Sequence, residues 1–600
     1  MRTTTTLFGA LAVIASAALP AGVAHADPAG FTRSSLYFDT TVGPDGSRHC
    51  NVEADLYTPD DVSADKPAPA VLTTHGFGQT KDAQAPTAEF LAGRGYVVLA
   101  YSGLGFGGTG CKVSIDSPDP DGQAAQDLVS FLGGADGIAY EDAAHTRPVP
   151  GLDIVVRDTV AQDGRTLPDD PRVGMVGGSY GGAIQFAAAA VDRRIDAIVP
   201  MITWNDLSYS LAPNSTGATV GVSGAVPGAT KTSWTTIFSA AGVTAPGAAG
   251  YRADPTKVLG CPNFADPACG ALATSLTQGF PDPQAVQFLR SASVASYVDR
   301  IHTPTLLIQG AEDTLFNLNE ATATFEALQR QGTEVKMIWQ KRGHSSGGDQ
   351  SLLSGGSSRP NPDTQYTTAR YLDWFESHLK DADVDTGPTF AYYRDWVGAA
   401  GTADSYETAS TPDVGTAQSL YLSDGGTLVS DRDAIRAGSQ TLSTPVGGVV
   451  QGSTPSIVQV TPGPRPENQP PGSFVTWTGA ALDAPLDVVG APAATVRIST
   501  PTPVTGDLDA VVVFAKLYDV APDGSATLIN GQVAPVRIVD PNAPVTITMP
   551  AIVHRFDTGH SVRLVLSGSD SSFRGGLVPR QVTVAAGDAG QQLVLPVVGR

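Results

Sequence analysis

Apolar positions follow two grammars along the 600 residues. Up to about residue 400, short apolar runs bounded by turn signals occur at 70–74, 96–101, 173–176, 195–200, 304–309 and 334–339. Such runs are the mark of strands buried on both faces. Between them lie stretches with helical spacing. Residues 123–132 place Ala125, Leu128, Val129 and Leu132 on one face, 183–190 is Ala-rich, and 366–379 lines up Tyr371, Leu372, Phe375 and Leu379. Two alternating segments, 35–38 and 51–57, read as leading strands. Strands alternating with helices predict a mostly parallel sheet covered on both sides, an α/β class. Residues 134–168 read as an irregular insertion. From 203 to about 298 the periodicity breaks, which predicts a cap folded over the carboxyl ends of the strands. Trp204, Asp206, Tyr209 and Trp234 could line a pocket there or serve equally well in packing.

Beyond residue 400 the runs become short and strand-like, at 419–422, 474–477, 495–498, 510–514 and 562–566. Turn signals such as Pro522-Asp523-Gly524 separate them. That spacing predicts an all-β sandwich of jelly-roll type over 401–600. The Pro/Gly/Ser-rich stretch 430–472 reads as a long loop or linker. A chain this long exceeds one hydrophobic core, so two domains are expected, 27–400 and 401–600.

Residues 1–26 are set apart from the fold. Arg2 gives a positive start, 7–23 is apolar and small, and Ala24-His25-Ala26 has the form of a leader cleavage site, which predicts secretion with Asp27 as the first mature residue. No later run reaches the roughly 18 apolar residues of a membrane span. In an oxidising compartment the four cysteines allow three pairings. Cys261 and Cys269 close a local loop naturally, which leaves Cys50 with Cys111. Their spacing does not suit zinc. The net charge of −22 repels phosphate backbones and argues against nucleic acid as a partner.

The chemistry centres on Gly177-Gly178-Ser179-Tyr180-Gly181-Gly182. Gly177-x-Ser179-x-Gly181 between a strand and an Ala-rich helix is the pattern of a nucleophile elbow, in which a sharp turn lifts the Ser hydroxyl clear of the sheet and needs neighbours without bulk. An acid in the turn after the next-but-one strand (Asp313, with Glu312 as the alternative) and His344 after the following strand complete the order Ser, Asp, His. Ser is nearly inert at neutral pH without an imidazole to take its proton, and the acid fixes the imidazole tautomer. The strand at 70–74 ends in His75-Gly76-Phe77, where the amides of Phe77 and Tyr180 would form an oxyanion hole. His75 reads as structural. The run 103–108 matches G-x-G-x-x-G, but no helix opens on those glycines, so a dinucleotide site is rejected. Asp116, Asp119 and Asp121 lack EF-hand spacing and read as solvated loop acids.

These features, together with the phrases at 517–524, 554–556 and 559–564, resemble the Xaa-Pro dipeptidyl-peptidase and cocaine-esterase family of serine hydrolases across almost all of the mature chain. The resemblance implies an α/β-hydrolase domain with an inserted cap and a trailing jelly roll. It implies Ser179, Asp313 and His344 as the triad, and no metal or organic cofactor. One departure stands out. The family often carries a Tyr in the early oxyanion loop, and here the position is Phe77, so a backbone donor serves instead. The resemblance tips the expected substrate towards a peptide cleaved after Xaa-Pro. An esterase or amidase of cocaine-esterase type is the alternative, and a polysaccharide-binding protein with a vestigial hydrolase domain is a second one. A peptidase of this kind needs an acid in the cap for the free ammonium of its substrate, a part Asp206 could fill.

Overall fold

The computed structural model describes residues 25–27, 30–161, 164–344, 365–397, 402–445, 471–541 and 543–599. The leader, apart from 25–27, lies outside the described residues, as does most of the stretch 446–472 that forms the second half of the expected linker. Numbering the principal strands in chain order, β1 is Phe31–Val42, β2 Arg48–Pro59, β3 Ala70–Thr74, β4 Val97–Tyr101 and β5 Val173–Gly178. They are followed by β6 Ile195–Met201, β7 Thr305–Gly310, β8 Val335–Gln340, β9 Phe390–Tyr393 and β10 Tyr406–Ala409. The spatial order is β10-β9-β8-β7-β6-β5-β3-β4-β2-β1. Pairs from β4 through β3, β5, β6, β7 and β8 to β9 are parallel. The β1–β2, β2–β4 and β9–β10 pairs are antiparallel.

Burial explains the apolar runs. Every residue of β3, β4, β5 and β7 is buried. Helices cover both faces: Gln123–Leu132 packs in one apolar cluster with Leu72, Leu99 and Met175, and Tyr366–Lys380 packs in another with Val71, Val176 and Ile308. The sheet does not stop at 400. Tyr406–Ala409 pairs with Phe390–Tyr393, so the change of grammar comes after Ala409. Tyr406 stacks on Tyr366 and is buried, which ties this edge strand to the last helix.

The C-terminal part is a separate β domain, 14-stranded, in which Thr416–Ser423 pairs with Gln592–Val598. Its strands alternate buried and exposed positions, as in Ala493–Ser499 and Gln592–Val598. The inward set includes Trp477, Val496, Leu564 and Leu593. This is the jelly-roll class of domain that the spacing predicts. The expected loop at 430–472 is corrected at its start: Gly438–Ser443 is a strand paired with Gln581–Ala586. Its polar composition hides it because only Leu442 on it is fully buried.

The two domains share core and hydrogen bonds. Val489, Ala551 and Val553 of the β domain join the apolar cluster that contains Trp339 and Leu318. Asn319 donates from Nδ2 to the Met549 carbonyl (3.1 Å) and accepts from the Ala551 amide (2.8 Å). Both disulfides are formed, Cys50–Cys111 and Cys261–Cys269. Among the described residues no helix is long and apolar enough to cross a membrane.

Candidate active site

The elbow is built by exclusion of bulk. Ser179 sits at φ 58° and ψ −118°, between the end of β5 and the helix Tyr180–Ala189. A Cβ on Gly177 would come within 2.7 Å of the Gly181 carbonyl oxygen, and one on Gly182 within 2.7 Å of that of Met201. A Cβ on Gly181 would strike the Thr74 carbonyl. Buried Gln185, one helical turn on, closes the turn. Its Nε2 donates to the carbonyls of Gly177 (3.2 Å) and Gly181 (2.8 Å), and its Oε1 accepts from the Val199 amide (2.9 Å).

Ser179 Oγ lies 2.9 Å from His344 Nε2, and His344 Nδ1 lies 2.9 Å from Asp313 Oδ2. The three residues, 134 and 31 positions apart along the chain, thus meet in one line. Asp313 is fully buried. Its Oδ1 accepts from the amides of Leu315 (2.8 Å) and Phe316 (2.9 Å), and its Oδ2 also receives Gln309 Nε2 at 3.3 Å. Glu312 is only partly buried and its amide donates to the Arg342 carbonyl, so the turn directs Asp313 to the imidazole. The His344 ring is held edge to face by Trp234 and Phe316, with centroids 5.3 and 5.1 Å away.

His75 has a structural part. Its Nδ1 donates to the Gly76 carbonyl (2.8 Å) and its Nε2 accepts from the Gly103 amide (3.0 Å). Full burial pushes its pKa down to about 4, so the ring is neutral across the ordinary range. It fastens the glycine loop 103–108 to the loop that carries Phe77. The Tyr180 amide is the first of its helix, one of the groups a helix leaves without an internal acceptor. The Phe77 ring packs edge to face on Phe106, Tyr180 and Phe238 and stacks on Phe264.

Over Ser179 lies a cavity of about 120 Å³. Phe77, Trp204, Phe238, Phe264, Phe288 and Phe316 form much of its wall, and the helices Thr232–Thr244, Pro267–Gln278 and Pro283–Ser291 of the stretch between β6 and β7 contribute to it. No described residue lining it is acidic. Of the four residues considered for a pocket, Trp204 lines the cavity and Trp234 supports His344. Tyr209 borders a different cavity at the domain interface. Asp206 is buried as a helix N-cap, accepts from the Ser208 amide and the Ser223 hydroxyl, and pairs with Arg290.

The acids of the loop after the glycine run are corrected. Asp116 and Asp121 are buried, not solvated. Burial lifts both carboxyls, Asp121 to about 7 and Asp116 well above the usual range. Tyr101, Tyr180 and Tyr297 lie close enough to feel their charge. Burial is imposed here by residues distant in sequence, which a local reading of Asp and Pro cannot detect.

Residues 45–346 match the X-Pro dipeptidyl-peptidase (S15 family), and 360–591 match the X-Pro dipeptidyl-peptidase C-terminal non-catalytic domain. The chain belongs to this family. It is a serine hydrolase. Solved structures similar to this S15-family chain include an aminopeptidase from the marine sediment archaeon Thaumarchaeota archaeon (14% identity, TM-score 0.66, covering 98% of this chain and 99% of that one). An α-amino acid ester hydrolase follows at 16% identity and TM-score 0.60, covering 96% and 98%. A CocE/NonD family hydrolase from Staphylococcus aureus matches at 14% and 0.59, covering 95% and 94%. At such identities these likenesses establish the fold alone. No curated protein matches the chain.

The S15-family site also uses residues that sequence reasoning missed. Gln185 is one. Gln532, from the β domain, is another: its Nε2 donates to the carbonyls of Ala311 (3.2 Å) and Asp313 (2.9 Å). No motif marks it, because its partner is a backbone turn more than two hundred residues away.

Proposed function

We propose that this S15-family chain is a secreted hydrolase that works through an acyl-enzyme on Ser179 and takes esters or amides of an apolar acyl group. His344 Nε2 removes the Ser179 proton as Oγ attacks the substrate carbonyl. Asp313 holds the Nδ1–H and stabilises the imidazolium. The amides of Phe77 and Tyr180 receive the oxyanion, each worth a factor of about 10² to 10³ in rate. His344 then protonates the leaving group and activates water to release the acid. No organic cofactor or metal takes part in these steps.

The observation that carries the substrate class is the aromatic, acid-free wall of the cavity over Ser179. A peptidase that measures from a free amino terminus needs a buried anion for the ammonium, and Asp206 is committed to Arg290 and its own helix cap. The dipeptidyl-peptidase reading, which the sequence placed first, becomes the second reading, supported by the family match over 45–346. A purely carbohydrate-binding role is disfavoured by the assembled Ser179–His344–Asp313 line. Secretion, with cleavage after Ala26, is supported by the leader sequence and by two disulfides.

The test compares nitrophenyl esters of increasing acyl length with an Ala-Pro anilide, using Ser179→Ala as control. The proposal expects kcat/KM to rise with apolar acyl length and the anilide to be poor. Fast anilide cleavage that is lost on blocking the substrate's amine would establish the peptidase reading instead.

A further inference from the structure

Behind the triad lies a buried cation. Lys231 opens the helix Thr232–Thr244 as its N-cap and is almost wholly enclosed. Its Nζ donates to the carbonyls of Thr314 (2.8 Å) and Leu315 (2.7 Å). Those carbonyls belong to the same two peptide groups whose N–H bonds hold the triad acid. The Thr314–Leu315 peptide gives its oxygen to the ammonium and its N–H to Asp313 Oδ1 at 2.8 Å. The Leu315–Phe316 peptide does likewise, with its N–H at 2.9 Å from the same oxygen. Two peptide dipoles therefore stand in parallel between a positive and a negative charge, aligned with both.

We propose that Lys231 is a positioning residue for the hydrolysis, which polarises these two peptides, locks the turn 313–316, and tunes the Asp313–His344 pair through them; this rests on the triad reading above. Hydrogen bonds in series polarise one another, and in a low-dielectric interior the effect of a charge reaches further than it would in water. A carboxylate without solvent is costly unless charge and donors compensate it. Lys231 supplies charge at one remove without competing with His344 for Oδ2. The titratable side chains around Lys231 are Asp313, Glu320 and Tyr209. Glu320 is fully buried and accepts from the Asn205 and Asp206 amides and the Ser210 hydroxyl; burial lifts its carboxyl to about 8, against the pull of those donors and of Lys231. Burial pulls the Lys231 ammonium below the usual lysine range, and the two acids pull it back.

The consequence is a pH effect of definite sign. Removing a positive charge beside the pair favours the imidazolium and moves the acid limb of kcat/KM to higher pH. For Lys231→Met and Lys231→Gln we expect that limb to rise by about half to one pH unit. KM should change little, since Lys231 does not line the cavity over Ser179. Lys231→Arg, which keeps the charge, should restore the limb. The full-length enzyme is assayed with a nitrophenyl ester from pH 5 to 9, alongside circular dichroism and Ser179→Ala. An unmoved limb in folded Lys231→Met and Lys231→Gln, with activity still dependent on Ser179, would overturn the proposal and leave the triad intact. Activity that survives Ser179→Ala would instead remove the triad reading on which it rests. Should neither variant fold, the wild-type downfield proton resonance of the His344–Asp313 bond decides. It should shift as Lys231 loses its charge on the alkaline side, and a constant position there would contradict the proposal.

Discussion

Ser179 occupies a backbone region that an L-residue rarely adopts, and the neighbouring glycines together with Gln185 hold it there. Strain of this kind persists at reactive groups because the surroundings over-determine it. The acid of the line is equally constrained. Asp313→Asn should lower kcat by about 10⁴ while leaving the fold intact, because the amide presents the wrong partner to Nδ1–H. Glu312→Gln should leave kcat within about threefold. Steady-state kinetics on both variants checks this, and a severe loss in Glu312→Gln would exchange their roles. A second residue-scale prediction concerns His75. Its pKa is about 4 in the fold against about 6.5 when unfolded. The unfolded chain therefore binds the extra proton between those values. Stability linked to His75 is complete above about 6.5 and falls by about 3 kcal/mol as pH drops to about 4. Asp121, raised to about 7, has the opposite sign: its contribution is complete below the usual carboxylate range and is lost as pH rises through 7. The difference between wild type and His75→Gln in urea midpoint against pH isolates the histidine, and identical slopes would refute it. Glycine spacing singled out Ser179 in sequence and strand order singled out His344, and the structure brings the two within 2.9 Å. Glu312 and Asp313 were not separable, since the choice is made by the turn that Leu315 and Phe316 complete.

At the scale of elements, the carboxyl ends of β5, β7 and β8 deliver the three groups, and the helices between β6 and β7 roof them. The disulfide Cys261–Cys269 belongs to that roof. Its loop carries Phe264, which stacks on Phe77, and Asn263, whose Nδ2 donates to the carbonyls of Gly105 (3.1 Å) and Gly242 (2.7 Å). Closing a short loop stabilises a fold by about 2–3 kcal/mol. The double variant Cys261→Ser/Cys269→Ser should melt at lower temperature and show a raised KM for long-chain esters, with kcat less affected. An unchanged KM would mean that the loop does not shape the acyl pocket. The alternation of parallel strands and helices was readable from apolar runs alone. The burial of Asp116 and Asp121 was not, because their neighbours come from far along the chain, Tyr101, Tyr180 and Tyr297 among the groups close enough to feel their charge. The strand Gly438–Ser443 escaped for the opposite reason: it fully buries only Leu442 and so leaves little hydrophobic signature.

For the molecule as a whole, the β domain is part of the site's foundation. Gln532 secures the carbonyls of the turn that carries Asp313, and Asn214 exchanges hydrogen bonds with the backbone of Arg537. A chain ending after Ala409 keeps β10 yet loses these anchors and exposes the apolar surface around Ala229 and Trp339. It should be insoluble or inactive, and Gln532→Ala in the full chain should lower kcat several-fold without unfolding it. A soluble, fully active truncation would contradict the shared foundation. The central claim is the covalent step at Ser179, and intact-protein mass spectrometry tests it most directly. After brief exposure to a slowly deacylating nitrophenyl ester and acid quenching, the enzyme should gain the mass of one acyl group, on the peptide containing Ser179, and Ser179→Ala should gain none. Turnover without that adduct in a rapid-quench series, or an adduct on another residue with activity retained in Ser179→Ala, would contradict the account.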